Sequence, residues 1–273
     1  MIMKDKLIPV TSVKAGDEQD VAPHVCMYTN QVVNLFFITT DTASNSWVLV
    51  DAGMPKSAEK IKKEAEERYG KGTKPDAILL THGHFDHVGG VKELAEEWGV
   101  PVYAHSLELP YLTGESDYPE PDPSVDSGLV AKMAPMIFPN EAINIANHVH
   151  TLPEDGSVPY LPEWKWIHTP GHTPGHVSFF REKDRFLLAG DAFVTVKQES
   201  LYQVTVQKLE ISGPPKYLTM DFGTSLNSIR KLQALSPLAA ATGHGKPMDG
   251  ELLSASLDRL VNNFDSIGMP EDK

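Results

Sequence analysis

The chain has 273 residues, enough for one large domain or two small ones around a substantial buried core. Hydrophobic residues at 41% and charged residues at 22% exclude a disordered or low-complexity protein. The 24 Lys plus Arg against 37 Asp plus Glu give a net charge of −13, which repels phosphate backbones and anionic lipid and argues against nucleic-acid and membrane partners.

In chain order, Met1 to Val10 has no apolar stretch long enough for a signal peptide, and no later run approaches a membrane span. The lone Cys26 excludes an internal disulfide, and a cytoplasmic location is the expectation. His24–Tyr28, Val32–Thr39 and Trp47–Asp51 read as strands, the last two joined by a polar hairpin turn over Thr40–Ser46. Lys56–Tyr69 reads as a charged surface helix ending at Gly70, with Ile61 and Ala65 on its inner face. Ala77–Leu80 is a short buried strand, Val91–Trp98 a helix stopped by Gly99, and Val102–Ala104 a further strand.

From about Ser106 to Pro162 prolines crowd the chain, and the stretch reads as an insertion with a small helix around Ser127–Met133. Its large apolar residues, Tyr111, Tyr118, Met133, Met136, Ile137 and Phe138, suit a lid over a substrate or a homodimer surface equally. Strands then follow at Trp164–His168, His176–Arg181, Phe186–Ala189 and Leu238–Ala241, with helices at Phe222–Ser236 and near Glu251–Phe264.

The chemistry lies at strand ends. His82, His84, Asp86 and His87 crowd together directly after an apolar strand, in a chain with 11 histidines in all. Imidazole and carboxylate together are ligands for zinc, iron and manganese, and Gly83 lets the backbone turn between two of the histidines. Three more junctions offer the same chemistry beside glycine: His172 in Thr-Pro-Gly-His-Thr-Pro-Gly-His, Asp191 after Gly190, and His244 after Gly243. His176 competes with His172, whereas His24, His105, His148, His150 and His168 lack such a context and read as structural.

The run Thr-His-Gly-His-Phe-Asp-His at Thr81–His87, followed by Pro-Gly-His, Gly-Asp and Gly-His, resembles the metallo-β-lactamase-fold hydrolase superfamily, in its glyoxalase II and lactonase-like branch. The resemblance implies an α/β fold, a four-layer αβ/βα sandwich of two mixed β-sheets with helices outside. It implies a single domain over residues 1–273, interrupted at about 106–162. It also implies two divalent metal ions, zinc first with iron or manganese compatible. His82, His84 and His172 would hold one ion, Asp86, His87 and His244 the other, with Asp191 bridging. Such a pair lowers the pKa of a shared water toward roughly 7, giving hydroxide that attacks an electrophilic centre. Asp86 is then both a ligand and the candidate catalytic proton carrier.

The expected substrate is a small molecule with an ester-type bond, a lactone or ester first. Glyoxalase II-type thioesterases resemble the chain but usually add a helical domain after the last ligand, where 245–273 supplies about one helix. Acyl-homoserine lactonases usually carry a tyrosine three residues beyond the bridging aspartate. Val194 stands there, with Tyr202 the nearest substitute. A phosphodiesterase or nuclease would want a basic exosite, which the charge disfavours, and a non-catalytic metal-binding protein conflicts with a complete ligand set.

Overall fold

The computed structural model describes residues 12–125, 129–197, 204–205 and 207–270. Alternation along the strands shows how the layers form. In β3 (Val33–Asp41), Leu35 and Phe37 point to one side and Phe36 and Ile38 to the other, and all four are buried. A strand with two apolar faces must be covered on both.

One face carries helices. Leu35 and Phe37 pack with Trp47 and Leu49 of β4 (Ser46–Val50), with Ile61, Ala65 and Tyr69 of α1 (Ala58–Tyr69), and with Leu94 and Trp98 of α2 (Val91–Trp98). Gly99 ends α2 in the left-handed region at φ 64, where a side chain would be strained. The other face meets a second sheet, with Phe36, Ile38, Val48 and Val50 against Trp164, Phe179, Phe186 and Leu188. Beyond that sheet, Phe180, Leu187 and Ala240 pack under Ile229 and Leu232 of α5 (Phe222–Ala234) and Leu253, Leu257 and Leu260 of α6 (Gly250–Asn262), with a short α7 (Phe264–Ile267) following. Three apolar seams between four layers make the αβ/βα sandwich.

The larger sheet orders seven strands as β1-β2-β3-β4-β5-β6-β7, adding β1 (Glu18–Ala22), β2 (Val25–Asn30), β5 (Ile78–Leu79), β6 (Val102–Ala104) and β7 (Val149–Thr151). The smaller sheet orders five as β12-β11-β10-β9-β8, from β8 (Trp164–His168), β9 (Val177–Arg181), β10 (Phe186–Leu188), β11 (Ala239–Ala241) and β12 (Met248–Asp249). Both are mixed: β4, β5, β6 and β7 run parallel in one, β10 and β11 in the other.

The 106–162 stretch is more ordered than its proline content predicts. It holds α3 (Leu109–Leu112) and α4 (Leu129–Ile137), and Val149–Thr151 within it forms β7, paired in parallel with β6. The predicted helix at Ser127–Met133 falls partly on residues 126–128, outside the described residues; α4 continues to Ile137, past Pro135. No helix among the described residues is long and apolar enough to cross a membrane.

Trp47 is the anchor of the helix-facing seam. Fully buried, it stacks on Tyr69 at 4.8 Å, meets Trp98 edge-on at 5.7 Å, and donates Nε1–H to Thr73 Oγ1 at 2.9 Å. Trp47→Ala is expected to cost about 3–5 kcal/mol, read as a lower midpoint in denaturant unfolding, with metal stoichiometry of the folded protein unchanged.

Candidate metal centre

Each predicted ligand stands where a strand gives way to a loop. The Thr81–His87 run follows β5, His172 sits between β8 and β9, Asp191 follows β10, and His244 follows β11. The two sheets are tied together at these ends: Val177 N–H donates to Thr81 O at 2.9 Å, and Asn34 Nδ2 reaches Thr242 O and Gly245 O at 2.9 and 2.8 Å. Four loops from two sheets therefore open into one buried space.

In that space the ligand atoms of His82, His84 and His172 lie within 4.8 Å of one another, and so do those of Asp86, His87 and His244. A third grouping, His82, His87 and Asp191, cuts across the first two. Asp191 Oδ2 is 3.7 Å from His172 Nε2, 3.7 Å from His87 Nε2 and 3.3 Å from His244 Nε2, so it stands between the two sets.

The outer hydrogen bonds dictate the tautomers. Thr81 Oγ1 donates to Asp51, so at 3.0 Å it accepts from His82 Nδ1–H. Thr219 Oγ1 donates to Pro215 O and likewise accepts from His172 Nδ1–H at 3.0 Å. His244 Nδ1–H donates to Val32 O at 2.9 Å, and His87 Nδ1–H to Asp51 Oδ2 at 2.8 Å. With Nδ1 the hydrogen-bonded donor in all four rings, the neutral form of each leaves Nε2 as a lone pair facing the centre, as a metal ligand requires. His84 is turned the other way, its Nδ1 3.0 Å from His172 Nε2.

Asp51, directly after β4, organises this outer shell. Its carboxylate also accepts Thr81 N–H at 2.8 Å, and its backbone is held at φ 61, a left-handed conformation rare for a non-glycine residue. Gly243 is required for a different reason. A Cβ there would lie 2.1 Å from Asp191 Oδ1 and 2.8 Å from His87 Cε1, so any side chain would push the carboxylate out of place.

Whether the residues fit metal is answered by what they leave unpaired. Among the described residues, the buried side-chain N and O atoms without a hydrogen-bond partner are His82 Nε2, Asp86 Oδ1, His87 Nε2 and Asp191 Oδ1. Each such atom costs roughly 1–3 kcal/mol when left unsatisfied, and all four face the same space. Divalent cations satisfy them together.

Electrostatically the two sets differ. Burial, then the neighbouring histidines, holds His82 and His172 well below the usual imidazole range, and burial pushes His84 down to about 4. Burial acts in the same direction on His87 and His244, yet there it is outweighed. Asp51, Asp191 and Asp86 raise His87 well above its ordinary value, and Asp191 and Asp86 raise His244 to about 10. Burial would raise Asp86 and Asp191, but the adjacent His87 and His244 pull both down. At neutral pH the first set is deprotonated in advance, while the second holds protons that a metal must displace.

Of the remaining histidines, His176 lies in the wall: its Nε2 accepts Asp191 N–H at 2.9 Å, Nδ1 meets Thr169 Oγ1 at 2.9 Å, and burial lowers its pKa to about 3. His105 and His168 stack on each other at 4.2 Å and belong to none of the three ligand groupings. Tyr202 lies outside the described residues, and Val194 is buried, its backbone bridged to Ser212. Asp51, Glu108 and Thr219 are the contributors that sequence reading passed over; the one available signal was an acidic residue closing a wholly apolar strand at Asp51. Isothermal titration of the metal-free protein at pH 7.5, in buffers of different ionisation enthalpy, should show about one proton or more released as the Asp86–His87–His244 set fills. Little should be released from the other set, and affinity of the second set should fall as pH is lowered. Equal proton release from both would contradict this electrostatic division.

A family model described as the metallo-beta-lactamase superfamily matches residues 28–244. The probable metallo-hydrolase YflN of Bacillus subtilis (strain 168) is 51% identical over 265 residues, 97% of this chain and 100% of that relative. Hydroxyacylglutathione hydrolase of Xylella fastidiosa (strain M12) is 32% identical over 141 residues, covering 51% of this chain and 40% of that protein. Among solved structures, TTHA1623 in a di-iron-bound form superimposes with a TM-score of 0.55 at 27% identity, over 82% of this chain and 93% of that one. With the model spanning most of the chain and a near full-length relative, the chain belongs to the metallo-beta-lactamase superfamily and is a metal-dependent hydrolase.

Proposed function

We propose that this hydrolase opens a lactone or another ester bond in a small molecule, using two divalent ions. His82, His84 and His172 would hold one, Asp86, His87 and His244 the other, with Asp191 shared between them. The observation that carries this reading is the set of four partnerless buried atoms on ligands of both groups. Ions bound there supply Lewis acidity, polarising a carbonyl oxygen and lowering the pKa of a water toward roughly 7. Nitrogen and carboxylate donors without cysteine suit zinc, and equally iron or manganese.

The protein's own contribution is orientation and proton handling. Asp86 keeps Oδ2 3.3 Å from His244 Nε2 while Oδ1 has no protein donor. That leaves Oδ1 free to bind metal, or to take a proton from the attacking water and return it to the leaving oxygen. Beside it Phe85 stacks on Phe138 at 5.3 Å, and Phe138 on Tyr217 at 5.3 Å, within an apolar cluster that includes Val33, Met54 and Val196. We infer that an apolar acyl group would rest against this cluster, next to Asp86. Because Phe138 comes from the insertion, it supports the insertion as a specificity element; Met136, 74% exposed, is where a second copy would dock if the chain dimerises. The net charge of −13 supports a small substrate over a nucleic acid. A thioester is the second reading, favoured by the likeness to hydroxyacylglutathione hydrolase.

Elemental analysis of the isolated protein should find two metals per chain, zinc foremost. A panel of lactones, esters, thioesters, β-lactams and phosphodiesters should give highest kcat/KM on the first two. Asp86→Asn should lower kcat by roughly 10²–10⁴-fold on the best substrate. Full activity and metal content in that variant would remove Asp86 from the chemistry, and a preference for phosphodiesters would overturn the ester assignment.

A further inference from the structure

Glu108 is a fully buried carboxylate on the turn Ser106–Glu108, at the start of the insertion. Its Oε1 accepts Thr173 Oγ1–H and Gly175 N–H, each at 2.7 Å. Its Oε2 accepts Gly83 N–H at 2.9 Å and the hydroxyl of Tyr118. An ionised carboxylate offers about four acceptor positions, and here all are filled, by donors from three separate segments. Burial raises the Glu108 pKa, and the four donated bonds work against that rise.

The placement of those donors is what matters. Gly83 lies between His82 and His84, and Thr173 follows His172, so Glu108 ties together the two loops that supply the first ligand set. The packing is close: a Cβ on Gly83 would lie 2.7 Å from the Tyr118 hydroxyl oxygen, and one on Gly175 would lie 2.8 Å from Glu108 N. Tyr118 arrives from the insertion, stacked on Tyr111 at 3.8 Å, with its ring 4.5 Å from that of His84. The other four ligand histidines are each oriented by a hydrogen bond on Nδ1, whereas His84 presents Nδ1 inward, where its ring has no such outer tether.

We propose that Glu108 is a positioning residue for the His84–His172 side of the metal centre, and that through Tyr118 it makes the geometry there depend on docking of the insertion. In place of a hydrogen bond to the ring, His84 is held by the Glu108 bond to Gly83 N–H beside it and by the Tyr118 ring packed against it. By bonding both the Gly83 and the Thr173–Gly175 backbone regions, Glu108 would hold the loops on which His84 Nδ1 and His172 Nε2 stand 3.0 Å apart. Occupancy of this set is thereby linked to the element that also carries the Phe138 wall. The inference rests on the two-metal reading above.

The test is Co²⁺ titration of metal-free wild type, Glu108→Gln and Tyr118→Phe, followed by d–d absorption, with thermal unfolding of each metal-free protein alongside. Gln keeps the shape of Glu108 but turns a donor toward two of its present donors. Expected is roughly 10–100-fold weaker binding and an altered spectrum for one Co²⁺ equivalent, the one that His172→Ala removes, with the other equivalent unchanged. Tyr118→Phe leaves Glu108 three donors and should show the smaller change in the same equivalent; it carries the test if Glu108→Gln does not fold. Wild-type affinity and spectra in the variants would overturn the role of Glu108 alone. So would equal weakening of both equivalents in step with a lower unfolding temperature, which marks general packing. A wild type that binds no Co²⁺ would overturn the two-metal reading and this inference together.

Discussion

Four polar atoms buried without a protein partner, His82 Nε2, Asp86 Oδ1, His87 Nε2 and Asp191 Oδ1, impose the constraint on which this architecture depends. A dry interior does not hold such atoms in one place unless something positive completes them. The surrounding residues are arranged so that the atoms cannot turn away. Outer hydrogen bonds fix the histidine tautomers, Asp51 accepts strain to reach Thr81 and His87, and Gly243 gives up a side chain so that Asp191 can come close. Relieving any of these contacts would let a ligand relax and find a partner elsewhere.

The sandwich makes this arrangement rigid. Each ligand stands close to a strand whose faces are packed, so its position is set by apolar seams as well as by its loop. The smaller sheet contributes His172, Asp191 and His244 and the larger sheet the Thr81–His87 run, and cross-links through Asn34 and Val177 hold the two edges in register. A difference in electrostatics follows from which carboxylates lie near. Burial favours the neutral form of the His82–His84–His172 set, whereas Asp51, Asp86 and Asp191 favour the protonated form of His87 and His244 in the metal-free site.

How much of this was legible in sequence depends on range. The Thr81–His87 run is visible because its ligands are neighbours in the chain, and His172, Asp191 and His244 stand out because each is set against glycine at a strand end. Strands with two buried faces, such as β3 and β4, announce themselves as continuous apolar runs. By contrast β1 is mostly exposed and β12 is two residues long, so neither carries a periodic signal. β7 was hidden inside a proline-rich stretch that reads as loop, because parallel pairing to β6 decides its state and local propensity does not. Asp51 and Glu108 were missed for the same reason. Their partners lie 10 to 67 residues away, and the one local mark is that Asp51 closes an apolar strand. The insertion's tie to the His84 loop through Tyr118 is likewise a tertiary fact.

The central claim, two metals in two defined ligand sets, is tested most directly by anomalous X-ray diffraction from crystals of the protein as purified. Two anomalous peaks about 3.5–4 Å apart are expected, one bounded by His82, His84 and His172 and the other by Asp86, His87 and His244, with Asp191 reaching both. A single peak, or peaks bounded by other residues, would contradict the claim.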